Sequence, residues 1–263
     1  MLTIIFPNVN PYIIRFGELG VTWYSLSYVA GILFAWKYAS YIAKITNSKI
    51  TASHIEDLVT YSILGIIIGG RLGYVLLYDP MHFMNHPIEI LQTYKGGMSF
   101  HGGLLGIIIS TLYFCKKNQI TFFSLTDILA LVCPVGLMLG RCANFINGEL
   151  YGDYTDLPWG IVFPNAGDIP RHPSQLYEAL LEGLLTFLII NYLGLRKFYI
   201  NYSGAISGCF LICYSIARIF CEIFRIPDFE VLGMSAGQLY SIPMLVYGIY
   251  LVLKRYGNKK YYL

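Results

Sequence analysis

Long apolar runs constrain the fold of this chain more than any other feature. Seven of them approach or exceed the roughly 20 residues that a helix needs to cross a bilayer. They cover about residues 20–42, 56–78, 98–115, 122–142, 174–195, 203–224 and 236–254. Inside a bilayer the backbone polar groups must be satisfied internally, which favours helices. The sequence therefore predicts an all-α polytopic membrane protein with about seven transmembrane helices.

The composition agrees with a membrane protein. The chain is 56% hydrophobic and only 13% charged, whereas an average soluble domain is about a quarter charged. The net charge of +3 is modest, and no basic tract with interleaved aromatics indicates a nucleic-acid partner. The six cysteines lie in or at the ends of apolar runs without metal-ligand spacing, so we interpret them as core residues. A reactive thiolate at Cys142 is the less favoured alternative.

The basic residues predict an orientation, because cytoplasmic loops are enriched in Lys and Arg. One predicted side, which we expect to be the outside together with the N-terminus, carries Arg15, Lys95 and Arg171, with Arg225 as a further candidate. No basic residue precedes Arg15, so the first span is expected to remain as an anchor. We expect one integral membrane domain over 1–263, with a small outer cap at about 143–172. The other side, including the C-terminus, carries Lys37, Lys44, Lys49, Lys116, Lys117, Arg196, Lys197, Lys254, Arg255, Lys259 and Lys260.

Two helix starts have local signals. Pro173 stands where the fifth long helix would begin, since a missing N–H costs nothing at a first helical position. Residues Ser124 to Asp127 match a weak capping box for the fourth.

Charged side chains inside the apolar runs are candidates for function. Arg71 is in the middle of the second run, where an arginine costs about 2.5–3.5 kcal/mol on insertion scales and needs a partner or a water-filled cavity. In the sixth run a helical stripe is spaced by 4, 4 and 3 residues, and it must face a polar interior. Its two arginines and one glutamate leave one positive charge over, which suits an anionic ligand, although a purely structural ion-pair ladder is the alternative. The stripe consists of Tyr214, Arg218, Glu222 and Arg225.

Two further runs carry polar residues at their outer ends. Gln175, Glu178 and Glu182 share one helix face and could pair with Arg71, Arg141 or Arg218, or simply join helices. His101 is surrounded by glycines, and histidine is suited to proton transfer near neutral pH. A hydrogen-bonded core histidine is the alternative. Trp23 and Tyr24 are interpreted by default as interfacial aromatics.

The segment GRCANFINGELYG, residues 140–152, follows an apolar run whose one charge is Asp127. Its Arg141 either snorkels to the surface or binds an anion. Arginine remains charged and binds phosphate or carboxylate in bidentate fashion. Together with the other outer-side arginines it predicts an amphiphilic, anionic substrate with a phosphate at the outer interface, a description that a phospholipid fits.

These segments resemble the bacterial phosphatidylglycerol–prolipoprotein diacylglyceryl transferase family. The resemblance runs in family order from about Trp23 to Met244, and residues 140–152 form the family signature. The matching pieces are GGRLGYVLLYDP (69–80), GGMSFHGGLLG (96–106), GRCANFINGELYG (140–152), RHPSQLYEALLEG (171–183), the Tyr214–Arg225 stripe and MSAGQLYSIPM (234–244).

The resemblance implies an activity in the bacterial cytoplasmic (inner) membrane, with the active site toward the outer face. Diacylglycerol would pass from phosphatidylglycerol to the lipobox cysteine of a preprolipoprotein, giving a thioether and glycerol phosphate. This is the first step of lipoprotein maturation, and no metal or organic cofactor is expected. Residues 153–170 are short compared with longer family members, so peptide contacts there are not carried over.

The resemblance also implies roles for individual residues. Arg141 would bind the lipid headgroup, Arg218 would be essential for transfer, and His101 is the candidate base. Asn147 and Gly152 belong to the signature, where Gly152 is expected to shape the backbone. Functionally sensitive positions of the family are matched by Tyr24, Asn144, Glu149, Glu222 and Arg225. With Asn147 of the signature, and with Arg71 and Tyr214 from the polar residues inside the runs, these are the further substrate-binding candidates.

Three other classes of membrane protein agree less well with the sequence. A purely structural membrane protein would not need so many outer-side arginines. A transporter for an anionic amphiphile would explain buried charge through a substrate path, but the sequence has no inverted repeat. A retinal-type receptor needs a lysine in the middle of its last helix, whereas Lys254 is at the cytoplasmic end of that run.

Overall fold

A computed structural model of the chain describes residues 4–7, 9–16, 19–46, 49–93, 96–164, 166–196, 203–227 and 229–257. The orientation residues Lys95, Lys197, Lys259 and Lys260 lie outside this part of the chain. The chain is mostly helical. Its helices are α1 (Trp23–Ile45), α2 (Ala52–Leu77), α3 (Pro80–Asn85), α4 (Phe100–Lys117), α5 (Phe122–Ile146), α6 (Ser174–Leu195), α7 (Ala205–Cys221) and α8 (Ala236–Gly257).

Each predicted run coincides with a long helix, and the mostly helical membrane fold is confirmed. Among the described residues, five helices are both long and apolar enough to cross a membrane, namely α2, α5, α6, α7 with its final turn, and α8. Helix α1 contains Lys37 and several aromatics, and α4 ends in Lys116 and Lys117, which lowers their mean hydropathy. Seven membrane crossings and the orientation of the termini stay predictions.

Short strands were not predicted from the sequence. Strand β1 (Ile4–Ile5) pairs in parallel with β4 (Ile161–Val162). Strands β2 (Tyr12–Phe16) and β3 (Leu19–Thr22) form an antiparallel hairpin directly before α1. A smaller hairpin of β5 (Glu230–Val231) and β6 (Met234–Ser235) precedes α8.

The chain divides into two compact units. The first consists of residues 1–39 and 126–263, and the second of residues 40–125. The prediction of a single membrane domain stays a prediction.

The second unit is built on a glycine seam between α2 and α4. A Cβ on Gly106 would overlap the carbonyl of Gly65, and one on Gly102 would overlap the carbonyl of Gly69. Small residues allow this close backbone approach, which is common between membrane helices. The glycines that follow His101 therefore serve to pack α4 closely against α2.

In the first unit, Asp127 corrects one sequence prediction. Helix α5 begins at Phe122, before the predicted capping box of Ser124 to Asp127. The fully buried Asp127 instead accepts hydrogen bonds from Gly204 N at 2.6 Å and from Ser207 N at 2.8 Å. It thus caps the N-terminus of α7, a neighbour in space that local sequence does not reveal. The start of α6 beside Pro173 is confirmed.

The segment between α5 and α6 packs with the N-terminal residues around a small apolar cluster. Phe6 and Phe163 are buried, with ring centroids 5.2 Å apart. The guanidinium of the buried Arg171 lies 4.0 Å from the centre of the Tyr154 ring. The strand pairing and these contacts give the segment a small core that it shares with the N-terminal residues, and its position outside the membrane stays a prediction.

The six cysteines are free thiols. Cys115 and Cys221 are buried, as the core interpretation predicted, while Cys142, Cys209 and Cys213 are partly buried. Cys133 is exposed on the surface of α5, so for this residue the core interpretation is wrong. Cys133 lies on the outer surface of a helix that is long and apolar enough to cross a membrane.

Candidate functional site

One buried carboxylate organises three arginines in the first unit. The side chain of Glu178, on α6, has 0% exposure. Its Oε1 accepts from Nη1 of Arg218 at 2.6 Å and from Nη1 of Arg225 at 2.7 Å. Its Oε2 lies 3.0 Å from Nε of Arg141. Three separate arginines therefore converge on a single carboxyl group.

Two more buried carboxylates complete the cluster. Glu182 lies one turn further along α6, with Oε1 3.5 Å from Nη1 of Arg218. Glu222 pairs with Nη2 of Arg218, and its Oε1 is 3.3 Å from Nε of Arg225. The Ser235 hydroxyl donates to Oε2 of Glu222 at 2.5 Å. The ion-pair ladder that the sequence left as the alternative is present along α7 and the turn after it, and it extends to the glutamates of α6. We call Arg141, Glu178, Glu182, Arg218, Glu222 and Arg225 the arginine–glutamate cluster.

The charge of this cluster differs from the sequence expectation. Arg218, Glu222 and Arg225 alone leave one positive charge over, but Glu178 supplies a carboxylate to both of these arginines. The excess charge is therefore offset within the protein. A buried ion that loses its partner is expensive, so each group of the cluster holds the others in place.

The local backbone of α6 brings its two glutamates to the same side. Residues Ala179–Leu185 form a π-helical turn directly after Glu178, and such turns are frequent at functional sites. A Cβ on Gly183 in this turn would meet Met138 of α5, so the glycine lets α6 approach α5 closely. Spacing predicted the shared face, but nothing in the sequence marked the π turn.

Arg141 is the most open arginine of the cluster. Its side chain is 22% exposed, compared with 13% for Arg218 and 9% for Arg225. It contacts Glu178 through Nε, and no ion pair or hydrogen bond of its Nη groups occurs within the described residues. The two Nη groups are the part of a guanidinium that grips a phosphate. Arg141 does not simply snorkel to the membrane surface, because its guanidinium is paired with the buried carboxylate of Glu178.

The amides of the signature segment form a second polar group. Asn144 is buried on α5, and its Nδ2 donates to Oε1 of Glu149 at 2.9 Å. Asn147 donates to the same oxygen at 3.2 Å. Gln175 of α6 donates to the backbone oxygen of Glu149 at 2.6 Å. The turn after α5 is therefore fixed by side chains from the same region as Arg141.

Two tyrosines lie within electrostatic range of these groups. Tyr24, at the start of α1, interacts with Glu149 and Arg141, and its hydroxyl is 3.2 Å from that of Tyr28. Tyr214 on α7 interacts with Glu182 and Arg218. Tyr24 is therefore next to the site as well as at the start of a span. The default interpretation as an interfacial aromatic is incomplete for it.

Gly152 connects the signature to the arginine stripe through the backbone. It forms a β-bridge with Arg225, and its N–H donates to the carbonyl of His172 at 2.8 Å. A Cβ at this position would overlap the carbonyl of Phe224. The expectation that Gly152 shapes the backbone is confirmed. Burial lowers the pKa of His172, which lies before α6, while Asp153 opposes the shift.

Arg71 and His101 belong to the second unit. Arg71 is buried, and its guanidinium donates to backbone carbonyls of that unit, including Ile90 O at 2.8 Å and Gly96 O at 2.7 Å. The partner that the sequence required is therefore a set of carbonyls. His101 is exposed in the first turn of α4, at an apolar groove of about 730 Å³ lined by α2 and α4. No group of three or more His, Cys, Asp or Glu suited to a metal ion occurs in the described part of the chain.

Sequence reasoning did not name Glu178, Glu182 or Ser235 as site residues, although it gave pairing of the two glutamates with Arg141 or Arg218 as one alternative, and these contacts confirm that alternative. The spacing of the two glutamates on one face of α6 was the available signal, and helix–helix contact was an equally good explanation of it. Nothing in the sequence marked Ser235 except that it lies in the segment 234–244, which resembles the family. Its contact with Glu222 depends on the β5–β6 hairpin, which the sequence did not predict.

Known proteins match this chain over nearly its whole length. A model of the prolipoprotein diacylglyceryl transferase family matches residues 11–254. The phosphatidylglycerol–prolipoprotein diacylglyceryl transferase of Rickettsia felis is 53% identical over 251 residues, which cover 94% of this chain and 97% of that protein. Proteins of the same name from Rickettsia bellii and Rickettsia typhi are each 53% identical, over 253 and 254 residues. These alignments cover 95% of this chain and 96% and 98% of the two relatives.

Proposed function

The chain belongs to the prolipoprotein diacylglyceryl transferase family, and from this premise we propose that the arginine–glutamate cluster binds its lipid substrate. The protein is a transferase that moves a diacylglyceryl group from phosphatidylglycerol to a prolipoprotein, the first step of lipoprotein maturation. The cluster supports a phosphate site because Arg141 contacts Glu178 through Nε and is the most exposed arginine of the set.

The reaction is a displacement at carbon. The thiolate sulfur of the prolipoprotein cysteine attacks the CH2 carbon that carries the phosphate ester. A C–S bond forms as the C–O bond breaks, and glycerol phosphate leaves with the bonding electron pair. The thiol proton passes to a base. Negative charge increases on the departing phosphate, so fixed cations at that phosphate stabilise the transition state.

In this proposal Arg141 binds the phosphate of phosphatidylglycerol through its Nη groups. Arg218 supplies positive charge from a position fixed by Glu178, Glu182 and Glu222. Arg225 completes the same cluster and links it to Gly152. Because arginines do not titrate near neutral pH, their part is electrostatic stabilisation and orientation. Substrate contacts are also proposed for Tyr24, Asn144, Asn147, Glu149, Tyr214 and Glu222.

His101 is the proposed base that takes the thiol proton. His101 is exposed in the first turn of α4, and histidine is the side chain best suited to proton transfer near neutral pH. Arg71 was predicted to bind substrate as well. Its four carbonyl contacts favour a role in holding the backbone instead.

The membrane setting is proposed in the same terms. The chain is multi-pass and its family acts at a bacterial membrane. We place it in the cytoplasmic membrane with seven crossings, the N-terminus and the active site toward the outer face, and the C-terminus in the cytoplasm. The residue 143–172 segment is then a small outer cap. The lipobox cysteine is the proposed acceptor, and surrounding membrane lipids are the remaining partners.

The decisive experiment uses purified protein, phosphatidylglycerol vesicles and a peptide that contains a lipobox cysteine. We expect glycerol phosphate release together with a peptide mass increased by one diacylglyceryl group. A matched peptide with serine in place of cysteine is the control, because serine is far less acidic than a thiol and should not react. Release of glycerol phosphate that is equal with both peptides would contradict thiol transfer and indicate hydrolysis.

A further inference from the structure

Arg71 is held by backbone carbonyls on every nitrogen of its guanidinium. Nε donates to Ile90 O at 2.8 Å, and Nη2 donates to Glu89 O at 2.5 Å. Nη1 donates to Gly96 O at 2.7 Å and to Gly97 O at 3.0 Å. The residue is only 6% exposed, and no carboxylate pairs with it in the described ranges of the chain. Its charge is thus compensated by four carbonyl dipoles, one of the ways in which membrane proteins satisfy a buried cation.

The backbone around these carbonyls is adapted to Arg71. Gly96 and Gly97 have φ of +87° and +77°, a left-handed conformation that favours glycine. A Cβ on Gly97 would press against Nη1 of Arg71 and the ring of Tyr74. Both glycines therefore turn their carbonyls to the guanidinium in a conformation that favours glycine, and at Gly97 a side chain would also collide with Arg71 and Tyr74. We call this arrangement the Arg71 clamp.

The clamp is directly connected to the start of α4. Ser99 N donates to Gly70 O at 2.8 Å. This hydrogen bond attaches Ser99, two residues after Gly97, to the turn of α2 next to Arg71. The Ser99 hydroxyl then caps α4 by accepting from Gly102 N at 3.2 Å. His101 lies in this first turn, four residues after Gly97. His101 therefore follows directly on the backbone that the clamp and the Ser99–Gly70 hydrogen bond hold.

We propose that Arg71 is a positioning residue for His101. It anchors the backbone that begins α4 and so places the candidate base for the thiol proton. Lysine could not replace it, because a single ammonium lacks the planar fork that reaches carbonyls at 89–90 and at 96–97 together. The inference rests on the proposed function, since it assigns Arg71 a part in the transfer reaction.

The experiment compares Arg71→Lys and Gly97→Ala with the wild type in the peptide assay at varied phosphatidylglycerol concentration. Both substitutions disturb the clamp, one from each side. We expect kcat to fall about 10-fold or more, as for a displaced catalytic group, with KM for phosphatidylglycerol nearly unchanged. Gly103→Ala is the matched control in the same turn, because its Cβ would meet neighbours only at 3.7 Å or beyond, and it should retain wild-type kcat.

A double-mutant cycle separates positioning from general support of the fold. In a His101→Gln background, Arg71→Lys should change kcat by less than about twofold, because the group that it positions is gone. Faster hydrogen exchange at the amides of residues 96–103 in Arg71→Lys would report the loosened α4 start. An equal fall of kcat with and without His101 would overturn the inference, and so would a raised KM with kcat intact.

The outcome also distinguishes this inference from the proposed function. If the wild type releases no glycerol phosphate in a cysteine-dependent way, the proposed function fails. If it does, and His101→Gln keeps the wild-type kcat, the transferase stands and the positioning role of Arg71 is rejected.

Discussion

At the scale of the residue, the site depends on how one carboxylate is shared. Glu178 contacts Arg141, Arg218 and Arg225 while having no exposure to solvent. Removing one partner of a buried ion pair typically costs about 3–5 kcal/mol, because the remaining charge is left uncompensated. Here three guanidinium groups would be affected together. We therefore expect transferase activity to depend on Glu178 as strongly as on the arginines that are proposed to bind substrate.

Replacing Glu178 by glutamine should test this dependence. The variant keeps the size and one acceptor oxygen but loses the charge that balances the arginines. We expect a lower unfolding temperature in detergent and loss of most transferase activity. Glu56→Gln, at an exposed position of α2, is the matched control and should change neither quantity. A fully active and equally stable Glu178→Gln protein would show that the three arginines do not need a charged partner.

Replacing Arg141 by lysine should separate substrate binding from folding. Lysine keeps the positive charge beside Glu178 but lacks the fork that binds phosphate in bidentate fashion. Because Arg141 is the most exposed arginine of the cluster, the unfolding temperature should change little. Transferase activity should fall by about 10-fold or more, consistent with the loss of roughly 1.4 kcal/mol or more of transition-state stabilisation. Wild-type turnover would reject Arg141 as the phosphate ligand.

At the scale of the element, helices α2 and α4 are joined by glycines that have no room for a side chain. Without a strong hydrophobic driving force between helices in lipid, close packing of small residues is a major source of helix association. The same helices carry Arg71 and His101. The spacing of α2 from α4 is therefore a condition for the Arg71 clamp as well as for stability.

An alanine at Gly106 should force these two helices apart. The added Cβ would overlap the Gly65 carbonyl, which belongs to the backbone and cannot rotate away. Overpacking of this kind costs about 1–3 kcal/mol. We expect a lower unfolding temperature in detergent for Gly106→Ala than for Gly103→Ala, which has ordinary van der Waals space. Equal stability of the two variants would mean that the seam relaxes without cost.

At the scale of the whole molecule, the orientation in the membrane rests on the distribution of basic residues. Lys116 and Lys117 end α4 at an exposed position, and both belong to the set predicted to be cytoplasmic. The exposed Asp168 belongs to the predicted outer cap. These positions are suitable for labelling because neither contributes to the arginine–glutamate cluster.

Cysteine labelling in whole cells should test the orientation. The substitution Asp168→Cys should react with a membrane-impermeant maleimide in spheroplasts, whereas Lys116→Cys should react only after the membrane is permeabilised. The unsubstituted protein controls for its six native thiols. The reverse pattern would invert the proposed topology and place the cap in the cytoplasm.

The sequence by itself determined the positions of the long helices and the face of each helix that carries polar residues. Apolar length and periodicity are local properties, so they located the runs, the Tyr214–Arg225 stripe and the face of Glu178 and Glu182. The motifs also pointed to the family. Residues such as Arg141 and Arg218 could be selected before any contact was visible.

Only the tertiary structure decided which of these groups meet. Glu178 and Arg218 are 40 residues apart in sequence, and Glu178 and Arg225 are 47 apart, so no local pattern specifies their pairing. For the same reason, Asp127 was expected to cap its own helix but caps α7. Arg71 was expected to need a partner or a water-filled cavity, and only the folded structure identifies that partner as a set of backbone carbonyls. A buried charge takes whichever partner the packing brings within hydrogen-bond distance, and that choice exists only once the chain has folded.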